Sequence, residues 1–201
     1  MERPMPATAP LLQLVEPAPE YLWAYAKALE RGWSPNNIRD VITEQLAAIR
    51  ADGTAFLASL LGQDGTITLP DGTQMPKLPS RVCWMWDGEF AGQIGLRWQP
   101  GTDVLLSHVL GHFGYAVVPW KRRRGYATEA LRMMLDEARA VGLGSVEITA
   151  DKGNIASCRV IEVNGGGFVE EFVEPHYGED VRLRYRIDLS PEGGAREGQM
   201  A

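Results

Sequence analysis

The chain has 201 residues, of which 45% are hydrophobic and 23% are charged, and its formal net charge at pH 7 is −6. This length and apolar content suit one soluble domain with a single core, and the acidic balance argues against a general nucleic-acid binder. No apolar run approaches the ~18 residues of a membrane span, and the proline-rich residues 1–10 lack the charged and apolar regions of a secretory signal. We therefore expect a cytoplasmic protein with no nucleic-acid partner and no membrane partner.

Hydrophobic periodicity and turn residues predict the elements of the first part of the chain. In chain order they are a lead-in at 1–19 with a short strand at 11–15, a helix at 20–32, a second helix from Ser34-Pro35 to Asp52-Gly53, a short helix or strand at 55–61, and a loop at 62–77. The second helix is predicted to begin at Ser34-Pro35 because serine suits an N-cap and proline suits the first turn. The pattern at 55–61 fits a helix and a strand equally well.

The remainder of the chain alternates strands and helices. The elements are strands at 81–86 and 90–98 joined by the turn Asp87-Gly88-Glu89, a link at 101–109, a central strand at 111–118, a helix at 124–141, a strand at 145–150, a helix at 155–163, and paired strands at 168–173 and 181–189. A hairpin followed by strand–helix–strand–helix–strand predicts a mixed α/β (α+β) layout around one sheet. We expect a single domain over 1–189 and a disordered tail over 190–201, which is rich in glycine and charge.

The turn between the central strand and the long helix is the most informative segment. The apolar strand stops at Pro119, four basic residues follow at 121–124, and Gly125 precedes the helical pattern. A tight turn at a helix N-terminus presents several backbone N–H groups to one point, and the helix dipole adds partial positive charge. Gly125 has no Cβ, so the backbone can approach a ligand closely. This order of residues predicts a site for a phosphate or pyrophosphate.

Two motifs resemble one enzyme family. Arg122-x-x-Gly125-x-Ala127 resembles the Q/R-x-x-G-x-G/A signature of the GNAT acyltransferase superfamily. The segment from Asn154 to Gly166 is similar to the N-x-x-S-x-x-V-(I/L)-E-x-N-G-G segment of the branch that includes ribosomal-protein N-terminal acetyltransferases. The resemblance implies a GNAT-like fold, with a mostly antiparallel central sheet flanked by helices. In that fold the fourth and fifth strands, here 111–118 and 145–150, splay apart to admit the pantetheine arm of acetyl-CoA.

The same resemblance implies acetyl-CoA as cosubstrate, no metal, and a set of binding residues. The backbone of Tyr115, Ala116 and Val117 is expected to pair with the pantetheine amides like an added strand. The pyrophosphate loop is expected to comprise Arg123, Arg124, Gly125, Tyr126, Ala127 and Thr128. Asn154 and Ser157 are expected to contact the cofactor. The alternative for Asn154 is that it caps the helix N-terminus. The alternative for Ser157 is that it is a small polar residue that tightens the first helical turn.

The catalytic residues are less well defined by the resemblance. Many relatives carry a proton-donating tyrosine seven residues after the asparagine, but that position is Ile161 here. This leaves Ser157, water or no acid at all. Histone-acetylating relatives place a carboxylate base at or near the position of Gly111. The neighbouring His112 is the candidate base, since an imidazole titrates near neutral pH. The alternative is that His112 packs at the strand end or bonds a backbone carbonyl, because alternation points it away from the face used by Gly111.

These residues predict an N-acetyltransferase that moves an acetyl group from acetyl-CoA to a primary amine of an unidentified small molecule or peptide. Direct attack in a ternary complex is expected, because Cys83 and Cys158 lack a visible base partner and suggest neither a disulfide framework nor a metal site. The alternative is a non-catalytic, regulatory CoA-binding domain on the same fold. A different nucleotide binder fits poorly, since Gly142-x-Gly144 leads into a strand. The oligomeric state stays open, with a homodimer as one candidate.

Overall fold

The structure is a computed structural model that describes residues 11–36, 38–63 and 65–190. Its helices and strands are, in chain order, β1 Gln13–Val15, α1 Pro19–Glu30, α2 Ile42–Ala51, α3 Gly53–Leu61, β2 Thr66–Thr68, β3 Gln74–Pro76, β4 Ser80–Trp86, β5 Phe90–Arg97, β6 Phe113–Val117, α4 Tyr126–Ala140, β7 Ser145–Asp151, α5 Ile155–Val163, β8 Gly167–Phe172 and β9 Arg182–Asp188. The predicted tail at 190–201, except its first residue, and the lead-in before residue 11 lie outside the described residues.

Two antiparallel sheets form the centre of the molecule. The first has the strand order β1-β4-β5-β6 and the second has the order β7-β9-β8. The prediction of a mixed α/β fold with mostly antiparallel strands is confirmed, including the pairing of β8 with β9. The predicted splay is also present, since β6 and β7 lie side by side in the fold without forming a ladder.

Two buried clusters hold the helices on the sheets. The larger one packs the apolar face of α4 against both sheets, with Leu131 and Met134 fully buried beside Ile94 and Ile148. The spacing of apolar residues on α4 predicted this face. The smaller cluster is aromatic and packs α1 on the other face of the first sheet, where the Tyr25 ring stacks on Trp84 with centroids 4.7 Å apart. Each cluster excludes water from one face of the first sheet.

Three predictions for the first part of the chain need correction or completion. The second helix begins at Ile42 and not at Ser34, because the Asn36 carboxamide accepts bonds from two following N–H groups and turns the chain out of helical geometry. The open segment 55–61 is helical and belongs to α3, whose first N–H groups are capped by the Asp52 carboxylate. The predicted loop at 62–77 contains the small hairpin of β2 and β3.

Among the described residues, no helix combines the length and apolar content needed to cross a membrane. No three His, Cys, Asp or Glu side chains in those ranges come together as a metal site.

A buried ion pair anchors the basic turn to the β4–β5 hairpin. The Lys121 ammonium lies 2.5 Å from the Asp87 carboxylate, and the two residues are only 5% and 7% exposed. The Tyr126 hydroxyl donates to the other Asp87 oxygen at 2.5 Å. Burial alone would raise the pKa of Asp87, but the hydrogen bonds from Lys121 and Tyr126 outweigh it and hold that pKa below its ordinary value. Lys121 is therefore a structural residue and not part of the exposed basic surface.

We predict that Asp87→Ala lowers the free energy of unfolding by about 3 kcal/mol, because it leaves the Lys121 ammonium buried without its partner. Glu89→Ala is the matched control, since Glu89 also contacts Lys121, at 3.1 Å, but its side chain is 80% exposed. The control should change the free energy by about 0.5 kcal/mol or less. Urea unfolding of the three proteins at pH 7 measures both values, and equal losses in the two variants would contradict the prediction.

Candidate active site

The gap between β6 and β7 is the central feature of the candidate site. Among the described residues the two strands are joined only at one end. There the His112 N–H donates to the Glu147 carbonyl at 2.7 Å and the Glu147 N–H donates to His112 Nδ1 at 2.9 Å. Beyond this junction each strand pairs with its own sheet. The junction therefore forms the closed end of a V, and the strands diverge from it.

The edge of β6 that faces the gap forms no ladder with another strand among the described residues. His112 C=O and Val118 N–H both bond β5, and the register between them is uninterrupted. Because alternate residues of an antiparallel strand face the same neighbour, Tyr115 and Val117 turn their backbone groups toward the gap. Ala116 turns its groups toward β5, so the prediction that its backbone serves an incoming ligand is not supported. The Val117 carbonyl also accepts a bond from the Arg122 guanidinium at 3.3 Å.

The turn before α4 has the geometry of an anion cradle. Arg123 has a φ of 63° and Gly125 has a φ of 79°, so two residues with positive φ flank Arg124 in this turn. Successive N–H groups in a turn of this kind can point toward one concave site. No acceptor among the described residues bonds the N–H groups of six consecutive residues, Arg123, Arg124, Gly125, Tyr126, Ala127 and Thr128. These are the six residues that the sequence predicted for a pyrophosphate loop.

The electrostatics of this turn favour an anion. The N-terminus of the 15-residue helix α4 carries partial positive charge at the same place. Arg123 and Arg124 are exposed and add full positive charges. Open space surrounds the Cα of Gly125 on the side where a Cβ would be, so a ligand can approach the backbone there.

Asn154 and Ser157 lie at the N-terminus of α5, beside the gap. The Asn154 side chain accepts a bond from the Ser157 N–H at 3.1 Å, so it is the N-cap of α5, as the structural alternative predicted. The Ser157 hydroxyl lies 2.8 Å from the Tyr115 hydroxyl. Burial raises the pKa of Tyr115 to about 12, although the hydrogen bond with Ser157 opposes part of this shift. The phenol is therefore neutral at physiological pH and holds a proton beside the gap.

A cavity of about 550 Å³ passes through the gap. Opposite residues of an antiparallel pair share a face, and successive residues alternate. Arg97 and Gly114 therefore belong to the α1–α2 side of the first sheet, while Tyr115 belongs to the α4–α5 side. All three residues line this one cavity. Two ligands can thus meet in it from opposite sides of the sheet.

The prediction that His112 is the general base is not supported by the structure. His112 is fully buried, and the cavity is lined by Gly111 and Phe113 on either side of it but not by His112. Nδ1 is used as an acceptor for the Glu147 N–H, and Nε2 has no partner among the described residues. Burial lowers the pKa of His112, although the contact with the Glu147 backbone opposes this. His112 is a neutral residue that joins the two sheets.

Close packing explains the absence of a carboxylate at position 111. A Cβ built on Gly111 would lie 3.0 Å from the Glu147 carbonyl oxygen and 3.2 Å from the Ile148 Cα. Any larger residue would push β6 away from β7 at the junction. Position 161 is likewise closed, since Ile161 is fully buried in the main core.

Sequence reasoning missed the side chains of Tyr115 and Arg97. Tyr115 was predicted for its backbone, and no local pattern shows that its hydroxyl reaches α5, 42 residues further on. Arg97 had a usable signal, because Gln93, Gly95 and Arg97 alternate with the buried Ile94 and Leu96. That alternation predicts a polar face on β5 opposite the core face.

Comparison with known proteins agrees with this geometry. The model of the acetyltransferase (GNAT) domain family matches residues 33–166. No curated protein matches the sequence.

Three solved structures illustrate the likeness in fold. The microcin C7 self-immunity acetyltransferase MccE, solved with acetyl-CoA and AMP, is 12% identical with a TM-score of 0.60, over 88% of this chain and 92% of its own. The ribosomal L7/L12 α-N-protein acetyltransferase RimL, solved with coenzyme A, is 14% identical with a TM-score of 0.60. The match covers 91% of this chain and 96% of RimL. The putative acetyltransferase yncA from Salmonella typhimurium, solved with acetyl-CoA, is 16% identical with a TM-score of 0.52. The match covers 94% of this chain and 98% of yncA. At these identities the likeness confirms the fold.

We predict that the buried His112 makes the wild-type protein lose stability in mild acid. Its pKa is lowered in the folded state, so below the ordinary value of about 6.5 the unfolded chain binds a proton that the folded chain does not. The stability is complete above that pH and falls as the pH drops through it. His112→Asn keeps an acceptor for the Glu147 N–H but does not titrate.

Between pH 7.5 and 5.5 the wild type should lose up to about 1.4 kcal/mol more than His112→Asn. Urea unfolding of both proteins at the two pH values measures this difference. His176, whose pKa is raised by its hydrogen bond with Asp71, is present in both proteins and cancels. Identical pH dependence in the two proteins would mean that His112 is not held neutral.

Proposed function

The chain belongs to the GNAT acetyltransferase family, and from this premise we propose that it transfers the acetyl group of acetyl-CoA to a primary amine. The observation that carries the proposal is the run of six N–H groups without an acceptor at the start of α4, next to a strand edge that is open along the gap. The acceptor is a small molecule or a peptide, and its primary amine attacks the thioester directly in a ternary complex.

The chain fits acetyl-CoA at two places. The pyrophosphate suits the cradle at 123–128, because converging N–H groups, a helix N-terminus and two exposed arginines all favour negative charge. The pantetheine amides suit the backbone groups of Tyr115 and Val117, which face the gap and can bond a chain that lies along β6. The MccE, RimL and yncA structures hold acetyl-CoA or coenzyme A, which agrees with this assignment.

The reaction needs one bond formed, one bond broken and one proton moved. The neutral amine nitrogen attacks the thioester carbonyl carbon, an N–C bond forms, and the C–S bond breaks. The amine gives up one proton, and the thiolate that leaves takes up one, so the products are an amide and free coenzyme A.

We assign the stabilisation of the departing sulfur to the Tyr115 hydroxyl. Tyr115 lines the cavity, and its hydroxyl keeps its proton at neutral pH and lies 2.8 Å from the Ser157 hydroxyl. A donor held in place at the point where charge develops lowers the barrier without reorganisation. The tyrosine is supplied from β6, whereas position 161 on α5 is closed by the core.

The cavity offers no free base among the described residues. No histidine lines it, and its two carboxylates are ion-paired, Glu44 with Arg39 and Asp151 with Arg182. The amine therefore loses its proton to water, either before it binds or through the open cavity. A non-catalytic CoA-binding domain remains the second candidate, and it would bind coenzyme A but acetylate no amine.

We predict that coenzyme A binds this protein and that Gly125→Glu weakens binding at least tenfold, since it adds bulk and negative charge in the cradle. Gly142→Glu is the matched control. Gly142, after the far end of α4, also has a positive φ, 89° against 79°, and open space around its Cα. The two substitutions impose similar backbone strain, so Gly125→Glu should lose CoA affinity and Gly142→Glu should keep it. Isothermal titration calorimetry measures it, and equal affinities in the two variants would overturn the cradle assignment.

We predict that Tyr115→Phe lowers kcat about 100-fold, the lower end of the range for general-acid catalysis, with little change in KM for acetyl-CoA. Tyr185→Phe is the control, because it removes the hydroxyl of another buried tyrosine, which bonds the Glu162 carboxylate away from the cavity. Steady-state kinetics with any amine that turns over measures both. A kcat within threefold of wild type in Tyr115→Phe would exclude the hydroxyl from the reaction.

A further inference from the structure

The charged side chains that line the cavity nearly all have an ion-pair or hydrogen-bond partner among the described residues. The Arg39 guanidinium lies 2.8 Å from the Glu44 carboxylate. The Arg182 guanidinium lies 3.3 Å from the Asp151 carboxylate. The Lys77 ammonium donates to backbone carbonyls at the end of α3, where a cation is favourable.

Arg97 is the exception. Its guanidinium has no hydrogen-bond acceptor and no carboxylate partner among residues 11–36, 38–63 and 65–190, although it is partly buried in the cavity wall. It lies against the backbone of Gly114, since a Cβ built there would be 3.0 Å from Arg97 Nη2. Burial lowers the pKa of this guanidinium, and the nearby Tyr177 opposes the shift. Arginine keeps its charge in proteins all the same.

A partly buried charge without a partner destabilises the protein, and a ligand that completes its hydrogen bonds offsets this destabilisation. The planar guanidinium matches a carboxylate or a phosphate through two parallel N–H bonds. Glycine at position 114 leaves room for the guanidinium beside the strand, because a side chain there would press against Arg97 Nη2.

We propose that the acceptor amine carries an anionic group, a carboxylate or a phosphate, that pairs with Arg97. This inference rests on the proposed acetyl transfer and names the substrate class of the same cavity. Arg97 lies on the α1–α2 side of the first sheet and Tyr115 lies on the opposite side, and both residues line the cavity that passes through the gap. The anion of the acceptor therefore stays on the Arg97 side while its amine points through the gap. A polyamine fits poorly, because the two carboxylates of the cavity already have partners.

The test compares amines that differ only in the anion. The pairs are 4-aminobutyrate with 4-aminobutanamide, and O-phosphoethanolamine with ethanolamine, and spermidine represents the polycations. The proteins are wild type, Arg97→Gln, Arg97→Lys, and Arg139→Gln as control, since Arg139 pairs with Asp136 on α4 outside the cavity. The readout is kcat/KM for each amine.

In the wild type and the control, the anionic member of at least one pair should exceed its neutral partner at least tenfold, the range for a hydrogen-bonded charge pair. The pair that responds identifies carboxylate or phosphate. Arg97→Gln should bring the ratio to about one while the neutral amine changes less than about threefold, and Arg97→Lys should keep part of the preference. A wild type that prefers neutral amines or spermidine would overturn the proposal. An Arg97→Gln that lowers both members of a pair equally would also overturn it, since that result indicates a structural role.

Calorimetry of the same amines with the coenzyme A complex separates this proposal from the proposed function. If no amine is acetylated but the anionic members still bind more tightly through Arg97, the anion site stands and acetyl transfer to these amines fails. If amines are acetylated without any preference for the anion, acetyl transfer stands and the anion site fails. If no anionic amine is acetylated or bound more tightly, the anion site is refuted.

Discussion

The single junction between the two sheets is the constraint on which the rest of this structure depends. His112 and Glu147 exchange two hydrogen bonds there, one through the backbone and one through imidazole Nδ1. Each sheet is completed by its own ladder and by the shared core under α4, so the strands can diverge beyond the junction without unfolding. The open edge of β6 then presents backbone groups that need partners, as buried backbone groups do. A ligand that lies along β6 can supply them.

Several residues around the site have features that lower the stability of the folded protein. Arg123 adopts a left-handed φ that costs a non-glycine residue roughly 1–2 kcal/mol. Lys121 and Asp87 are buried as an ion pair that holds the basic turn on the β4–β5 hairpin. Arg97 lies in the cavity wall and has no counter-ion in the part of the chain that the structure describes. Each of these features is unfavourable for folding alone and becomes understandable if the turn and the cavity bind anions.

Close packing excludes a catalytic side chain at two positions. Gly111 packs on the β7 backbone and Ile161 fills the core, so neither position can carry a carboxylate or a tyrosine. The Tyr115 hydroxyl reaches the same helix from the neighbouring strand and meets Ser157 there. The proton donor that we propose therefore comes from a strand instead of a helix, and the proposed chemistry is otherwise unchanged.

The sequence by itself determined the elements around the turn, the family, and the location of the anion cradle. It could do so because these features are local: the strand end, Gly125, the apolar spacing of α4 and the asparagine cap all act over a few residues. The start of α2 was mispredicted because a local Asx turn at Asn36 competes with the Ser-Pro helix signal. Only the tertiary structure decided which side chains meet. The contacts of His112 with Glu147, Asp87 with Lys121 and Tyr115 with Ser157 each span more than 30 residues of chain, and no periodic pattern encodes such distances.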